Sequence, residues 1–209
     1  MFTIHKDLLC KKVEYFNIMF NGEFIESQTQ AASFPEDHPI AFKLFVSWLY
    51  RETIAPLQTI DQCGMTECQQ LCRLFALAEK YEVPLLADAC MDAMISFSRS
   101  KNGIPNIATI TLGYLETFDD SKLRIYLARC CAYIILTSGT ETSDGTWSNE
   151  KLSALFEKTP VIMEDVMPLL RRQAGKMMQD PREVPACEYH QHAKTEPCPH
   201  NRESSGEQA

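Results

Sequence analysis

Between residues 39 and 50 the chain reads PIAFKLFVSWLY, and so much aromatic area on so short a segment has to be hidden. Phe42, Phe45 and Leu49 form one series, and Ala41, Leu44 and Trp48 another, both at three- and four-residue steps. That is the period of a helix burying a wide stripe. Asp37 stands where an N-cap belongs, and Pro39 falls in the first turn, where its missing N–H costs nothing. The spacing predicts a core-anchoring helix here. Just upstream lie a second apolar helical end, a turn at Gly22 and a short β-compatible run.

Outward from this anchor the pattern stays mostly helical. Residues 2–5 alternate apolar and polar and read as a short strand. Residues 7–20 read as one helix with Leu9, Val13, Phe16 and Phe20 inward, ended by Asn21-Gly22. Residues 27–34 read as an edge strand. Thr66 and Gln69 have capping-box spacing and open a helix that runs to about residue 81. Pro84 then forces a break, because its ring disfavours the helical conformation at Val83. A partner helix over 85–97 completes a hairpin. Helices are predicted over 106–115, 121–136, 150–158 and 161–177, with Pro168 bending the last. After residue 180 the chain is polar and rich in proline, and it is expected to be disordered.

Composition excludes several classes of function. The chain has 209 residues, 45% of them apolar, and a net charge of −8. An acidic chain whose basic pairs (Lys11-Lys12, Arg171-Arg172) stand apart offers no phosphate-neutralising surface, so no nucleic-acid partner is expected. Lys6 and Asp7 interrupt what a signal peptide would need as its apolar core, and the apolar run 130–136 is too short to span a bilayer. Nine cysteines, an odd number scattered along helical faces, point to a reducing cytosolic or nuclear compartment.

Several ordered motifs carry a resemblance. They are His5-Lys6-Asp7, then Phe16-x-x-Met19-Phe20-x-Gly22, then Ile25-Glu26-Ser27, then Phe34-Pro35-Glu36-Asp37, then Trp48-Leu49-Tyr50. A Leu-Ala-Glu-Lys-Tyr-x-Val-Pro hairpin over 77–84 follows. Residues 2–97 resemble a BTB/POZ domain of the fungal type. The resemblance implies an α+β fold, a BTB/POZ-like helical cluster with a small sheet over 1–98, followed by an all-α extension over 99–179. Residues 180–209 are expected to form a disordered tail bearing a Cys/His cluster. The family's first strand has no counterpart here, which implies a domain truncated at its N-terminus with an unpaired sheet edge. The resemblance further implies protein–protein interaction, through a homodimer or through docking on a cullin scaffold as a ubiquitin-ligase adaptor. Cullin docking in the family uses a hydrophobic-x-Glu turn, and Phe24, Ile25 and Glu26 stand at that place. An exposed aromatic beside a carboxylate suits such a contact. In the alternative, Phe24 tucks under the sheet and Glu26 is merely solvated.

Cys187, His190, His192, Cys198 and His200 form the metal-like constellation of the chain. Two thiols with up to three imidazoles suffice for tetrahedral zinc, although the alternative is a flexible tail of biased composition with no small core beside it. Signals for catalysis are poor. Cys63 and Cys68 are not spaced as C-x-x-C, and only the start of a helix argues for an activated Cys68. The resemblance implies that His5 is a packed structural histidine, and neither a phosphate-binding glycine loop nor a nucleophile elbow is present. No enzyme is expected. Two classes of function remain: an interaction module, or a zinc-bearing tail that acts as a metal-dependent recognition or regulatory element.

Overall fold

The computed structural model describes residues 2–60, 64–138, 145–192 and 198. Its first two helices, α1 (Lys6–Lys12) and α2 (Glu14–Asn21), replace the single helix expected over 7–20. The break is Val13, whose backbone is extended at φ −135° and ψ 108° while its side chain is buried. A β-branched residue adopts that conformation readily, and the turn keeps Leu9, Val13 and Phe16 all facing the core.

Helix α3 (Ile25–Thr29) is short and occupies part of the stretch expected as an edge strand. Among the described residues there is no sheet, only an isolated antiparallel bridge between Ile60 and Thr66. The small sheet expected from the resemblance is therefore not found there. His5 is exposed rather than packed, and its Nδ1 lies 2.8 Å from the Tyr50 hydroxyl.

The anchor helix α4 (Pro39–Arg51) buries Ala41, Leu44, Phe45, Trp48 and Leu49, as its period requires. Its N-cap is His38 and not Asp37: the His38 ring accepts from the Ile40 amide at 3.3 Å. Asp37 does other work. It pairs with Lys80 at 2.6 Å and accepts a hydrogen bond from the buried Tyr81 hydroxyl. Burial, reinforced by the Asp37 bond, pushes the Tyr81 phenol well above its ordinary pKa, so it stays a neutral donor. Tyr81 in turn sits against Phe16 (ring centroids 4.9 Å apart) and Phe34 (5.8 Å), an aromatic knot joining α2, the 31–34 segment and α4.

Helix α5 (Glu67–Lys80) opens with the expected Thr66–Gln69 capping box and packs against α4, α6 (Pro84–Ser100) and α7 (Ile107–Glu116). Apolar contact on three sides explains why Leu71, Leu74, Phe75 and Leu77 are all buried. Gln70, buried on the same helix, is satisfied by donating to the carbonyls of Gln58 (2.6 Å) and Met65 (3.2 Å). Helix α8 (Lys122–Thr137) packs on α7 and on α10 (Val161–Gln173), and α9 (Asn149–Lys158) closes that end. Arg124 of α8 is buried because it serves the end of α7, donating to the carbonyls of Tyr114 (2.8 Å) and Thr117. Helix α10 stops at Gln173, short of the expected residue 177, and Gly175 follows it in the left-handed region at φ +73°.

The tail departs most from expectation. Residues 180–192 are not disordered: they cross α6 and α8, with Val184 and Tyr189 buried and a 3₁₀ turn at Ala186–Tyr189. The core runs without interruption from Leu9 to Tyr189.

Candidate functional site

Two places on this body carry residues singled out from the sequence. The first is the turn after α2. Gly22 caps that helix with its N–H 2.9 Å from the Ile18 carbonyl. A Cβ at Gly22 would lie 2.5 Å from that same oxygen, so only glycine fits there without a shift. Lys6 reaches across from α1 to donate to the Phe20 carbonyl at 3.0 Å, which further satisfies the end of α2. The chain then re-enters a helix at Phe24, the N-cap of α3. The Ser27 amide (3.1 Å) and Ser27 hydroxyl (2.7 Å) both donate to the Phe24 carbonyl, holding the turn closed.

This geometry places Phe24 and Ile25 outward, 54% and 68% exposed, with Glu26 next to them half-buried. Phe24 does not tuck beneath other structure. Tyr15 and Ile18 of α2 are exposed as well. An apolar pair displayed on a hydrogen-bonded turn, with one carboxylate beside it, offers a partner a preformed apolar contact and an acceptor for a basic group.

Around the N-terminus lies a groove of about 680 Å³ lined by Phe2, Ile4, Phe20, Ala32, Phe34 and Phe42 among others. Phe2 is exposed on its rim and packs on Phe42 with ring centroids 5.2 Å apart.

The second place is the tail. Cys187, His190, His192 and Cys198 each present a ligand atom, and these atoms all lie within 4.8 Å of one another. The backbone explains the convergence. In a 3₁₀ turn residues three apart eclipse, which stacks Cys187 and His190 on one side. The chain then bends through His190, Gln191 and His192, and His192 reaches the same place. Tetrahedral zinc would ask for ligand separations of about 3.3–3.8 Å. The distance from Cys198 Sγ to His190 Nδ1 is already 3.4 Å. His200, also expected as a ligand, lies outside the described residues.

Helix α6 supplies two side chains that the sequence did not mark. Asp92 lies 2.9 Å from His190 Nε2, and buried Asp88 accepts from the Gln191 amide at 2.7 Å. Burial disfavours the His190 imidazolium, but the bonds to Asp92 and Cys198 outweigh it and lift its pKa to about 9. The Cys187 thiol is pushed up by burial and by its neighbour Cys198. A bound divalent cation inverts this logic, because it takes thiolates and a neutral ring. The small core that seemed to be missing is borrowed: Tyr189 is 0% exposed, packs edge-on against Tyr126 at 5.2 Å, and its hydroxyl meets Arg129 at 3.2 Å. The i, i+4 pair Asp88/Asp92, interrupting the apolar run over 84–95, was the signal available in the sequence.

The remaining described thiols are pushed up by burial and are not set up for nucleophilic chemistry. Cys68 at the start of α5 is pushed up to about 11 by burial, aided by Glu67, so the helix N-terminus does not activate it. Cys131 is raised to about 12 by burial alone. Cys63 lies outside the described residues.

Residues 1–98 match the family model of the BTB/POZ domain, a protein–protein interaction module. No curated protein and no solved structure matches the chain.

Proposed function

We propose that this chain is a protein–protein interaction module with a BTB/POZ domain of the fungal type, that it docks a cullin scaffold through Phe24, Ile25 and Glu26 as a ubiquitin-ligase adaptor, and that it self-associates. The observation that carries the docking reading is the outward display of Phe24 and Ile25 on a turn whose backbone is fixed at both ends. Burying one such side chain at an interface is worth about 1.5–3 kcal/mol, enough to make it an anchor. The open apolar groove around Phe2 and Phe34 supports self-association, since a second copy seated there removes exposed aromatic area from water. The buried thiols of Cys72, Cys90, Cys130 and Cys131 form no disulfide, which fits a reducing cytoplasmic or nuclear setting. No described helix is long and apolar enough to cross a membrane.

The docking reading is tested by pull-down with a purified cullin N-terminal domain, comparing wild type with Phe24→Ala and Glu26→Lys. Retention by wild type and its loss in both variants is expected; equal retention by all three, or none by wild type, sinks the reading.

A second reading is favoured by the convergence of Cys187, His190, His192 and Cys198: a zinc-bearing tail acting as a metal-dependent recognition or regulatory element. The same pull-down with a zinc chelator separates the two. Binding that survives chelation belongs to the turn, and binding that disappears belongs to the tail.

A further inference from the structure

The tail's ligand cluster is not a free-standing finger. Cys187, His190 and His192 belong to a strap, residues 180–192, that touches both halves of the molecule, and Cys198 meets them there. Arg182, paired with Asp180 at 2.6 Å, reaches Asn102 (3.0 Å) and the Gly103 carbonyl just past the end of α6. Tyr189 enters the core against Tyr126 of α8 and bonds Arg129 of the same helix. His190 and the Gln191 amide are held by Asp92 and Asp88 of α6. Helix α6 lies almost wholly within residues 1–98, and α8 lies in the helical second half.

We infer that Cys187, His190, His192 and Cys198 hold one zinc ion as a clasp that fastens this strap across α6 and α8, with Asp92 as its orienting partner. The inference rests on the metal reading above and goes further, in naming what the ion does. Two thiolates and two imidazoles fill all four tetrahedral positions, which leaves none open for a reacting water, so the site is structural. Asp92 accepts the proton on His190 Nε2 and thereby turns the Nδ1 lone pair toward Cys198, the carboxylate–histidine–metal arrangement that raises ligand basicity and fixes the ring. Because Asp92 belongs to α6, correct ligation and correct docking of the strap are a single event. Without the ion, the last turns of the strap depend on Tyr189 and a few polar contacts against the entropy of ordering them.

The test uses the full-length, untagged chain. Wild type is expected to carry about one zinc per chain by elemental analysis. Asp92→Asn, at a half-exposed position, is expected to keep its circular dichroism spectrum while its zinc affinity falls roughly 10–100-fold. Amide hydrogen exchange over 184–192 is expected to quicken at least roughly tenfold when zinc is stripped. Absence of zinc at saturating metal overturns both the metal reading and the clasp. Bound zinc with exchange over 184–192 unchanged on stripping overturns the clasp alone, as does an unchanged affinity in Asp92→Asn.

Discussion

At the scale of single residues, Asp37 shows how one carboxylate can be misplaced by local logic. Aspartate before a proline-led helix is a fair N-cap, but His38 takes that role and Asp37 is spent on Lys80 and Tyr81. Those partners lie more than forty residues away, beyond the reach of any spacing rule. Replacing Asp37 with Ala strands the buried Tyr81 hydroxyl, and the expected cost is about 1–3 kcal/mol. For a chain of this length that lowers the midpoint of thermal unfolding by roughly 2–4 °C per kcal/mol. Asp37→Asn keeps an acceptor and is expected to fall between wild type and Asp37→Ala in a calorimetric scan; an unchanged midpoint in the alanine variant would show the contact to be idle. Phe24 differs from Asp37 in this respect. Its exposure follows from a local turn, and the residues of that turn are contiguous in the sequence.

At the scale of elements, legibility follows the range of the interactions. The Thr66–Gln69 box was readable because both its bonds close within four residues, and α4 was readable because its stripe repeats at helical period. The break at Val13 was hidden, since an apolar period passes through it unchanged: Val13 is buried in either conformation. The expected strands failed for a related reason. Alternation over residues 2–5 marks a segment able to pair, yet pairing needs a neighbour, and none of the described residues forms a ladder with it. A tail over 180–209 with so few apolar anchors reads as disordered from sequence, yet the anchors of its described part, 180–192, find their partners on α6 and α8. Its hold on the body depends on pH in a definite direction. The Arg182 hydrogen bond holds the Asp180 carboxyl below its ordinary value of 3.8. A depressed pKa contributes stability that is complete above the unfolded value and drains away as pH falls through the folded one. Urea titrations at stepped pH are expected to show wild type more stable than Asp180→Asn at neutral pH, with the gap closing below about pH 4. A gap that persists in acid contradicts an ionic role for Asp180.

At the scale of the whole molecule, a continuous core joins a BTB/POZ-like region to a helical second half, and two devices stand at its surface. One is a rigid turn displaying Phe24 and Ile25, the other a strap carrying a four-ligand cluster. The turn stood out in the sequence because its residue types exceed what a turn requires. The anchorage of the tail cluster was not, because Asp88, Asp92 and Tyr126 come from helices distant in sequence. Recognition through the turn is the central claim, and calorimetric titration of a cullin N-terminal domain into the full chain tests it most directly. The account predicts measurable binding by wild type and an affinity at least roughly tenfold weaker for the Phe24→Ala/Ile25→Ala double variant, with the thermal midpoint unchanged because both side chains are exposed. Equal dissociation constants for the two proteins, or no heat of binding from the wild type, would contradict it.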